Sequence, residues 1–205
     1  MDAKLARIVQ FFASYPIHRH KREPWQVLIA TLLSHRTKDE VTHAAADRLF
    51  KRFRSIDELA TADITEIAEL IKPVGFYRVK AVKIKAIAEI LKNKYNGEVP
   101  CDIDELLKLP GVGRKTANCV IAFGFEQPSL PVDTHVHRIS NRLGIVHTSR
   151  PEETEAQLKR LIPKEYWIKL NPAMVHFGKS ICRPIRPLCE TCKLRDVCDY
   201  GQQNI

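Results

Sequence analysis

Two glycines separated by a single residue, Gly111 and Gly113, interrupt a sequence that has helical character on both sides of them. Upstream, residues 102–105 (Asp-Ile-Asp-Glu) have the composition of a helix N-terminus, and leucines follow them. Downstream, apolar residues recur at helical spacing across residues 117–125. Residues 109–117 therefore predict a tight hairpin between two helices, with glycines that can adopt positive φ.

The predicted hairpin also carries groups that suit a phosphate. The glycine N–H groups are not covered by side chains of their own, and they lie at the positive end of the second helix. Arg114 and Lys115 begin that helix. We therefore expect Gly111, Gly113 and Arg114 to contact phosphates. Lys115 has two interpretations on sequence alone, a phosphate ligand or a nucleophile, and the residues themselves favour the first.

A carboxylate follows one helix later, in Val132-Asp133-Thr134-His135. Asp133 precedes a helical pattern and is expected to be its N-cap. His135 and His137 lie on the first turns of that helix, and without matching ligands nearby they are expected to be structural or to contact the phosphate-bearing partner.

Helix signals continue along the rest of the chain. Ser55 and Asp63 are each followed three residues later by glutamate, which is the spacing of a capping box, and Pro24 and Pro151 have the character of first helical residues. Runs of alternating apolar and polar residues are absent. The chain is predicted to be all-α with about ten helices.

Apolar spacing identifies two helices in particular. The first has a stripe of Leu5, Ile8, Val9 and Phe12. The second covers residues 76–95, and its stripe is expected to comprise Tyr77, Ala81, Ile84, Ala88 and Leu91. The proline-bearing stretch 127–131 is the predicted domain boundary.

The charge balance indicates a polyanionic partner. The 205 residues include 33 Lys and Arg against 24 Asp and Glu, a net charge of +9, and the pI is near 9.3. The alternative is ordinary surface charge. No apolar run approaches the roughly 18 residues of a membrane span, and the N-terminus has the pattern of an amphipathic helix rather than a signal peptide. We expect an intracellular protein without membrane contact, cytoplasmic and nucleoid-associated if prokaryotic.

Four of the six cysteines crowd into the last 24 residues in the pattern C-x6-C-x2-C-x5-C. Cys182, Cys189, Cys192 and Cys198 are soft ligands that can enclose a metal centre in a reducing compartment. Structural zinc usually has two close cysteine pairs, whereas only one close pair is present here. Spacing alone leaves zinc and iron–sulfur open.

The segment from Leu109 to Leu143, with Leu-Pro-Gly-Val-Gly-Arg-Lys-Thr-Ala followed by Val-Asp-Thr-His, resembles the helix-hairpin-helix DNA glycosylases, and among them the endonuclease III family. The resemblance extends from residues 32–34 to the C-terminal cysteines. It implies a six-helix barrel domain of residues 18–127, which includes the hairpin. It also implies a helical cluster domain of residues 1–17 and 128–205, with the active site in the cleft between the two.

The same resemblance implies the chemistry. In this family the positions of Lys115 and Asp133 are the catalytic lysine and aspartate of bifunctional DNA glycosylase/AP lyases. The expected substrate is double-stranded DNA with oxidised pyrimidines or abasic sites, and the protein is expected to be a monomer. Two alternatives remain: a thymine or uracil mismatch glycosylase, against which Lys115 argues, and a non-catalytic, cluster-bearing DNA-binding protein.

Further site residues follow from the family. The cysteine spacing is that of relatives that carry a four-iron four-sulfur cluster. Arg183 and Arg186, between the first two cysteines, are then expected to contact phosphates. Phe76 is in the position of an apolar wedge, although a core aromatic has the same sequence character. Arg36 stands where these glycosylases usually have glutamine, which bears on how the partner base is recognised.

Overall fold

A computed structural model describes residues 1–17 and 21–203. Across these residues the chain is helical and contains no β-strand, which confirms the all-α prediction. The described residues form twelve α-helices rather than about ten, because several of the helices are short. They are α1 (Ala3–Ala13), α2 (Pro24–Ser34), α3 (Asp39–Arg52), α4 (Ile56–Thr61), α5 (Ile64–Ile71), α6 (Tyr77–Tyr95), α7 (Ile103–Leu107), α8 (Arg114–Cys119), α9 (Thr134–Arg142), α10 (Pro151–Leu161), α11 (Trp167–Ser180) and α12 (Asp199–Gln203).

The chain forms two compact units. One consists of residues 21–126 and contains α2 to α8. The other combines the N-terminal segment with the chain from Gln127 onward and contains α1 and α9 to α12. Their identification as a barrel domain of residues 18–127 and a cluster domain of residues 1–17 and 128–205 stays a prediction.

The unit of residues 21–126 has a core built around α2 and α6. Helix α6 packs on α4 and α5, and α2 packs on α3, α8 and the π-helical continuation of α8, Val120–Gly124. A Cβ on Gly124 would lie 2.8 Å from Cα of Pro24, so this close packing requires glycine. The predicted stripe of α6 is buried at Ala81, Ile84, Ala88 and Leu91, while Tyr77 is half-buried.

The unit that contains α1 has its own core. The predicted stripe of α1, Leu5, Ile8, Val9 and Phe12, is buried as expected. Phe12 packs edge-on against Phe177 of α11, with ring centroids 5.4 Å apart. Among the described residues, no helix is both long enough and apolar enough to cross a membrane.

Local signals account for where several helices begin. The Ser55 side chain accepts a hydrogen bond from the backbone N–H of Glu58, and Asp63 accepts one from Thr65. Pro24 and Pro151 are the first residues of α2 and α10. Each of these predicted starts is confirmed.

Candidate functional site

The hairpin between α7 and α8 depends on its two glycines in different ways. Gly111 has a φ of +82°, and a Cβ there would lie 2.9 Å from Cδ of Lys83 and 3.2 Å from Cδ1 of Leu32. Conformation and packing both favour glycine at this position. Gly113 could adopt a positive φ but does not, because its φ is −99°. A Cβ built on Gly113 would meet no atom within 4 Å. Because Gly113 has no side chain, it leaves the backbone at the start of α8 accessible.

The hairpin backbone keeps donors available. Among the described residues, no backbone carbonyl accepts a hydrogen bond from the N–H of Gly111 or Gly113. Arg114, the first residue of α8, is exposed. These three residues, which the sequence predicted as phosphate contacts, lie together at one turn.

Lys115 is the second residue of α8 and is half-buried. Within the described part of the chain, no carboxylate forms an ion pair with it. The next residue, Thr116, has its Oγ1 3.1 Å from Nε2 of His35. Burial and the positive charges of Lys115, Lys80 and Lys83 lower the pKa of His35. Lys115 therefore lies within electrostatic range of His35, and no described carboxylate pairs with its amine.

Asp133 caps α9 with only one of its two oxygens. Its Oδ1 accepts hydrogen bonds from the backbone N–H groups of His135, at 2.9 Å, and Val136, at 3.0 Å. No described residue donates a hydrogen bond to Oδ2. The predicted cap is confirmed, and it leaves the second oxygen of a half-exposed carboxylate able to act on a ligand.

The two histidines of α9 make protein contacts. Nδ1 of His137 lies 2.7 Å from Oγ1 of Thr154 in α10. Nδ1 of His135 lies 3.2 Å from Nη2 of Arg138, which also donates to the carbonyl of Cys182. These contacts give both histidines structural roles.

Four free thiols surround one cavity in the unit that contains α1. Cys182, Cys189, Cys192 and Cys198 line it. Burial raises the pKa values of the Cys192 and Cys198 thiols, and the charges of the other cysteines raise them further. Among the described residues, no group of three or more His, Cys, Asp or Glu side chains converges as a site for a single metal ion.

The surroundings of this cavity suit a polynuclear thiolate-bound group. The backbone N–H of Gly201 donates to Sγ of Cys198 at 3.4 Å, and Nη1 of Arg142 donates to Sγ of Cys182 at 3.5 Å. Donors directed at ligating sulfurs are the usual second layer of such sites.

Arg183 and Arg186 lie on an exposed loop between the first two cysteines, which we call the cluster loop (residues 183–188). Arg142 holds this loop through hydrogen bonds to the carbonyls of Arg183, at 2.6 Å, and Pro184, at 2.9 Å. The loop closes where the N–H of Leu188 donates to the carbonyl of Ile181. Both predicted arginines are therefore exposed on a loop with a fixed backbone.

Phe76 and Arg36 come together at the surface of the unit of residues 21–126. Phe76 is 64% exposed, which rules out the alternative of a core aromatic. The guanidinium carbon of Arg36 lies 5.8 Å from the centroid of the Phe76 ring. We call this pair the surface wedge.

The sequence interpretation missed Lys80 and Arg142. Lys80 is buried, and its spacing of three residues from Tyr77 and four from Ile84 places it on the apolar stripe of α6. A lysine within an otherwise apolar stripe is the sequence signal that could have identified Lys80 as a buried residue. Arg142 is an ordinary last-turn arginine in the sequence, and its contacts with Cys182 and with the cluster loop become visible only in the structure.

Comparison with known proteins gives consistent matches. The family model for "HhH-GPD superfamily base excision DNA repair protein" matches residues 29–164. Endonuclease III of Thermotoga maritima is 50% identical over 200 residues, which cover 98% of this chain and 93% of that protein.

Solved structures of related DNA repair enzymes also match this chain. A trapped covalent intermediate of Endonuclease III with DNA, in an estranged-adenine complex, matches with a TM-score of 0.88 at 37% identity and covers 99% of both chains. A thermostable thymine-DNA glycosylase matches with a TM-score of 0.84 at 27% identity, over 97% of this chain and 95% of that one.

Proposed function

Because the chain belongs to the HhH-GPD superfamily of base excision DNA repair proteins, we propose that it excises oxidised pyrimidines from duplex DNA and then cuts the strand at the abasic site. It is an endonuclease III-like DNA glycosylase and AP lyase. We further propose that it binds damaged or abasic duplex as a monomer and that, if it is prokaryotic, it acts in the cytoplasm on nucleoid DNA.

The observation that carries the proposal is the position of Lys115 on the glycine hairpin. A nucleophilic lysine must offer a free amine, and an ion pair with a carboxylate would hold the amine protonated. No such pair involves Lys115 in the described chain. A relative of similar fold has been trapped in a covalent intermediate with DNA, as a lysine nucleophile would require.

The proposed reaction assigns separate tasks to Lys115 and Asp133. The amine of Lys115 attacks C1′ of the sugar, the bond from C1′ to the base breaks, and the base departs with the bonding electrons. Asp133 accepts a proton and stabilises the positive charge that develops on the sugar. Ring opening then produces a Schiff base on Lys115. Loss of a proton from C2′ and departure of the 3′ phosphate, a β-elimination, cut the strand on the 3′ side.

Access to a base inside a duplex requires its extrusion, which leaves a gap in the stack. We propose that the surface wedge fills this gap, because Phe76 is an exposed aromatic side chain and Arg36 lies next to it. Gly111, Gly113 and Arg114 would hold the phosphates beside the extruded nucleotide.

A thymine mismatch glycosylase is the second candidate, and the likeness to a thymine-DNA glycosylase favours it. Lys115 argues against it, since related mismatch enzymes have another residue in place of the lysine. Borohydride reduction of the protein on an abasic duplex distinguishes the two. A stable adduct supports the lyase, and its absence with excision of mismatched thymine supports the rival.

We propose that Cys182, Cys189, Cys192 and Cys198 hold a four-iron four-sulfur cluster. Four thiols around one cavity, with donors directed at two of the sulfurs, fit this group. When bound, the cluster supplies a rigid anchor for the cluster loop. Arg142 links the two, because it contacts both Cys182 and the loop carbonyls.

The purified protein is expected to be yellow-brown, to absorb broadly at about 400 nm and to contain iron rather than zinc. Metal analysis and a visible spectrum measure this. Replacing Cys119, a buried cysteine outside the pattern, with alanine should leave the iron content unchanged, whereas Cys189→Ala should lower it. Colourless, zinc-loaded and fully active protein would contradict the assignment.

Replacing Arg183 and Arg186 together with alanine should weaken binding to damaged and undamaged duplex alike, because phosphates carry no lesion information. Each lost phosphate contact should reduce the slope of log affinity against log salt by about 0.9. Titrations at several salt concentrations measure both effects.

The matched control removes two charges elsewhere in the same unit, at the exposed residues Arg160 and Lys164. It should leave the salt slope near that of the parent protein. If the Arg183 and Arg186 double variant kept its salt slope but changed lesion preference, the two arginines would contact bases instead.

A further inference from the structure

One buried lysine, Lys80, connects the loop that carries Arg36 to the helix that follows Phe76. Lys80 is only 6% exposed. Its Nζ donates hydrogen bonds to the carbonyls of Leu33, at 2.8 Å, and His35, at 2.6 Å, and to Oγ1 of Thr37, at 3.2 Å. All three acceptors belong to the end of α2 and the loop after it, whereas Lys80 lies on α6, one turn beyond Phe76.

Thr37 extends this connection to the second loop. Its Oγ1 accepts a hydrogen bond from the N–H of Gly75 at 3.2 Å and donates one to the carbonyl of His35 at 3.2 Å. The loops also touch directly, because a Cβ on Gly75 would lie 2.8 Å from the carbonyl oxygen of Arg36. The residues before both tips are therefore held in one hydrogen-bonded arrangement.

Both tips have an uncommon backbone conformation. Arg36 has a φ of 52° and Phe76 a φ of 57°, in the left-handed region that side chains other than glycine rarely occupy. Such conformations persist where surrounding contacts hold them, and they concentrate at functional sites. Here the surrounding contacts are those of Lys80 and Thr37.

Burying the ammonium group of Lys80 has a desolvation cost that an apolar side chain at this position would not have. Burial, with the charge of Lys83, lowers the pKa of Lys80 to about 8. Among the described residues no carboxylate pairs with Lys80, and its ammonium group donates hydrogen bonds to two carbonyls and a hydroxyl. An apolar side chain would avoid the desolvation cost but would not bond the loop.

We propose that Lys80 is a positioning residue that fixes the spacing of Arg36 and Phe76, so that both enter the duplex together when a nucleotide is extruded. The proposal rests on the function assigned above, and it adds a residue that contacts no DNA itself. Lys80 acts on excision through the surface wedge.

The test uses Lys80→Met, which keeps the length of the side chain and removes its donors, and two substrates. Excision of an oxidised pyrimidine from duplex needs the wedge. Cleavage of an abasic site in single-stranded DNA does not, because there is no paired base to displace. We expect duplex excision to fall about 10-fold to 100-fold, as for a misplacement near 1 Å, and single-strand cleavage to stay within about 2-fold.

The matched control is Lys85→Met. Lys85 also anchors α6 to a carbonyl, at 2.5 Å, but this carbonyl belongs to Ala60 of α4 and not to either loop. It should leave the ratio of the two activities unchanged. A second variant, Thr37→Val, keeps the shape of the side chain and removes only the hydroxyl that bonds both Lys80 and Gly75. If Lys80→Met does not fold, the ratio of the two activities is measured with Thr37→Val instead.

A double-mutant cycle with Phe76→Ala tests whether Lys80 acts through the wedge. Once Phe76 is absent, Lys80→Met should reduce duplex excision little further. Additive losses, or equal losses on both substrates by Lys80→Met and Thr37→Val, would show a general structural role and overturn the proposal.

A binding measurement separates this proposal from the proposed function. Fluorescence of 2-aminopurine opposite a tetrahydrofuran site reports insertion into the stack without any reaction. We expect a clear change with the parent protein and a much smaller one with Lys80→Met. If the parent changes the fluorescence but excises no base, the proposed function fails while the positioning role stands. Equal changes with both proteins would refute the positioning role.

Discussion

Lys115→Gln should reduce the borohydride-trapped adduct with an abasic duplex to background. Glutamine keeps a polar side chain of similar length, but its amide nitrogen cannot form a Schiff base. The hairpin donors of Gly111 and Gly113 belong to the backbone and remain. DNA affinity should therefore change little, while covalent capture should fall by at least about 10³-fold, as expected when a nucleophile is removed.

Lys108→Gln is the matched control for this variant. Lys108 also belongs to the hairpin segment, at the C-cap of α7, but it is exposed and pairs with Glu105 at 2.6 Å. Its replacement removes the same charge and should leave adduct formation at the parental level. An undiminished adduct in Lys115→Gln would mean that another amine is the nucleophile.

Asp133→Asn should slow base release by about 10²-fold to 10⁴-fold, the range for loss of a general base or of electrostatic stabilisation. The asparagine oxygen can still accept the hydrogen bonds from His135 and Val136, so the cap of α9 should persist. Asparagine cannot accept the proton or carry the negative charge. Single-turnover excision from a lesion-containing duplex measures the effect, with thermal unfolding as the check on the fold.

Asp102→Asn is a close control, because Asp102 caps α7 with the same geometry. Its Oδ1 accepts hydrogen bonds from the N–H groups of Asp104, at 2.9 Å, and Glu105, at 3.0 Å. Both variants should change thermal stability by similar small amounts, and only Asp133→Asn should change base release. Near-parental turnover in Asp133→Asn would show that the carboxylate of Asp133 only caps α9.

Features that depend on neighbouring residues were predictable from the sequence. Ser55, Asp63 and Asp133 were expected to cap helices, and each does so through hydrogen bonds to residues two or three positions ahead. The stripe of α1 was also correct, because side chains three and four apart share a face of any helix. These interactions are specified within one or two helical turns.

Features that depend on distant residues were predicted less completely. The sequence allowed Phe76 to be a core or a surface residue, and the structure shows it exposed, in a left-handed conformation just before α6. Gly113 was expected to have the same freedom as Gly111, yet only Gly111 packs against Leu32 and Lys83. No local pattern distinguishes the two glycines, since the difference arises from α2 and α6.

The sequence by itself determined the all-helical class, the helix starts, the hairpin and the cysteine spacing, because each is encoded by residues close together in the chain. The tertiary structure decided which of these groups act together. Lys80 reaches carbonyls 45 and 47 residues away, and Arg142 reaches the cluster loop 41 residues ahead. Such contacts exist only after helices pack, since packing brings distant backbone groups within the 3 Å or so that a hydrogen bond requires.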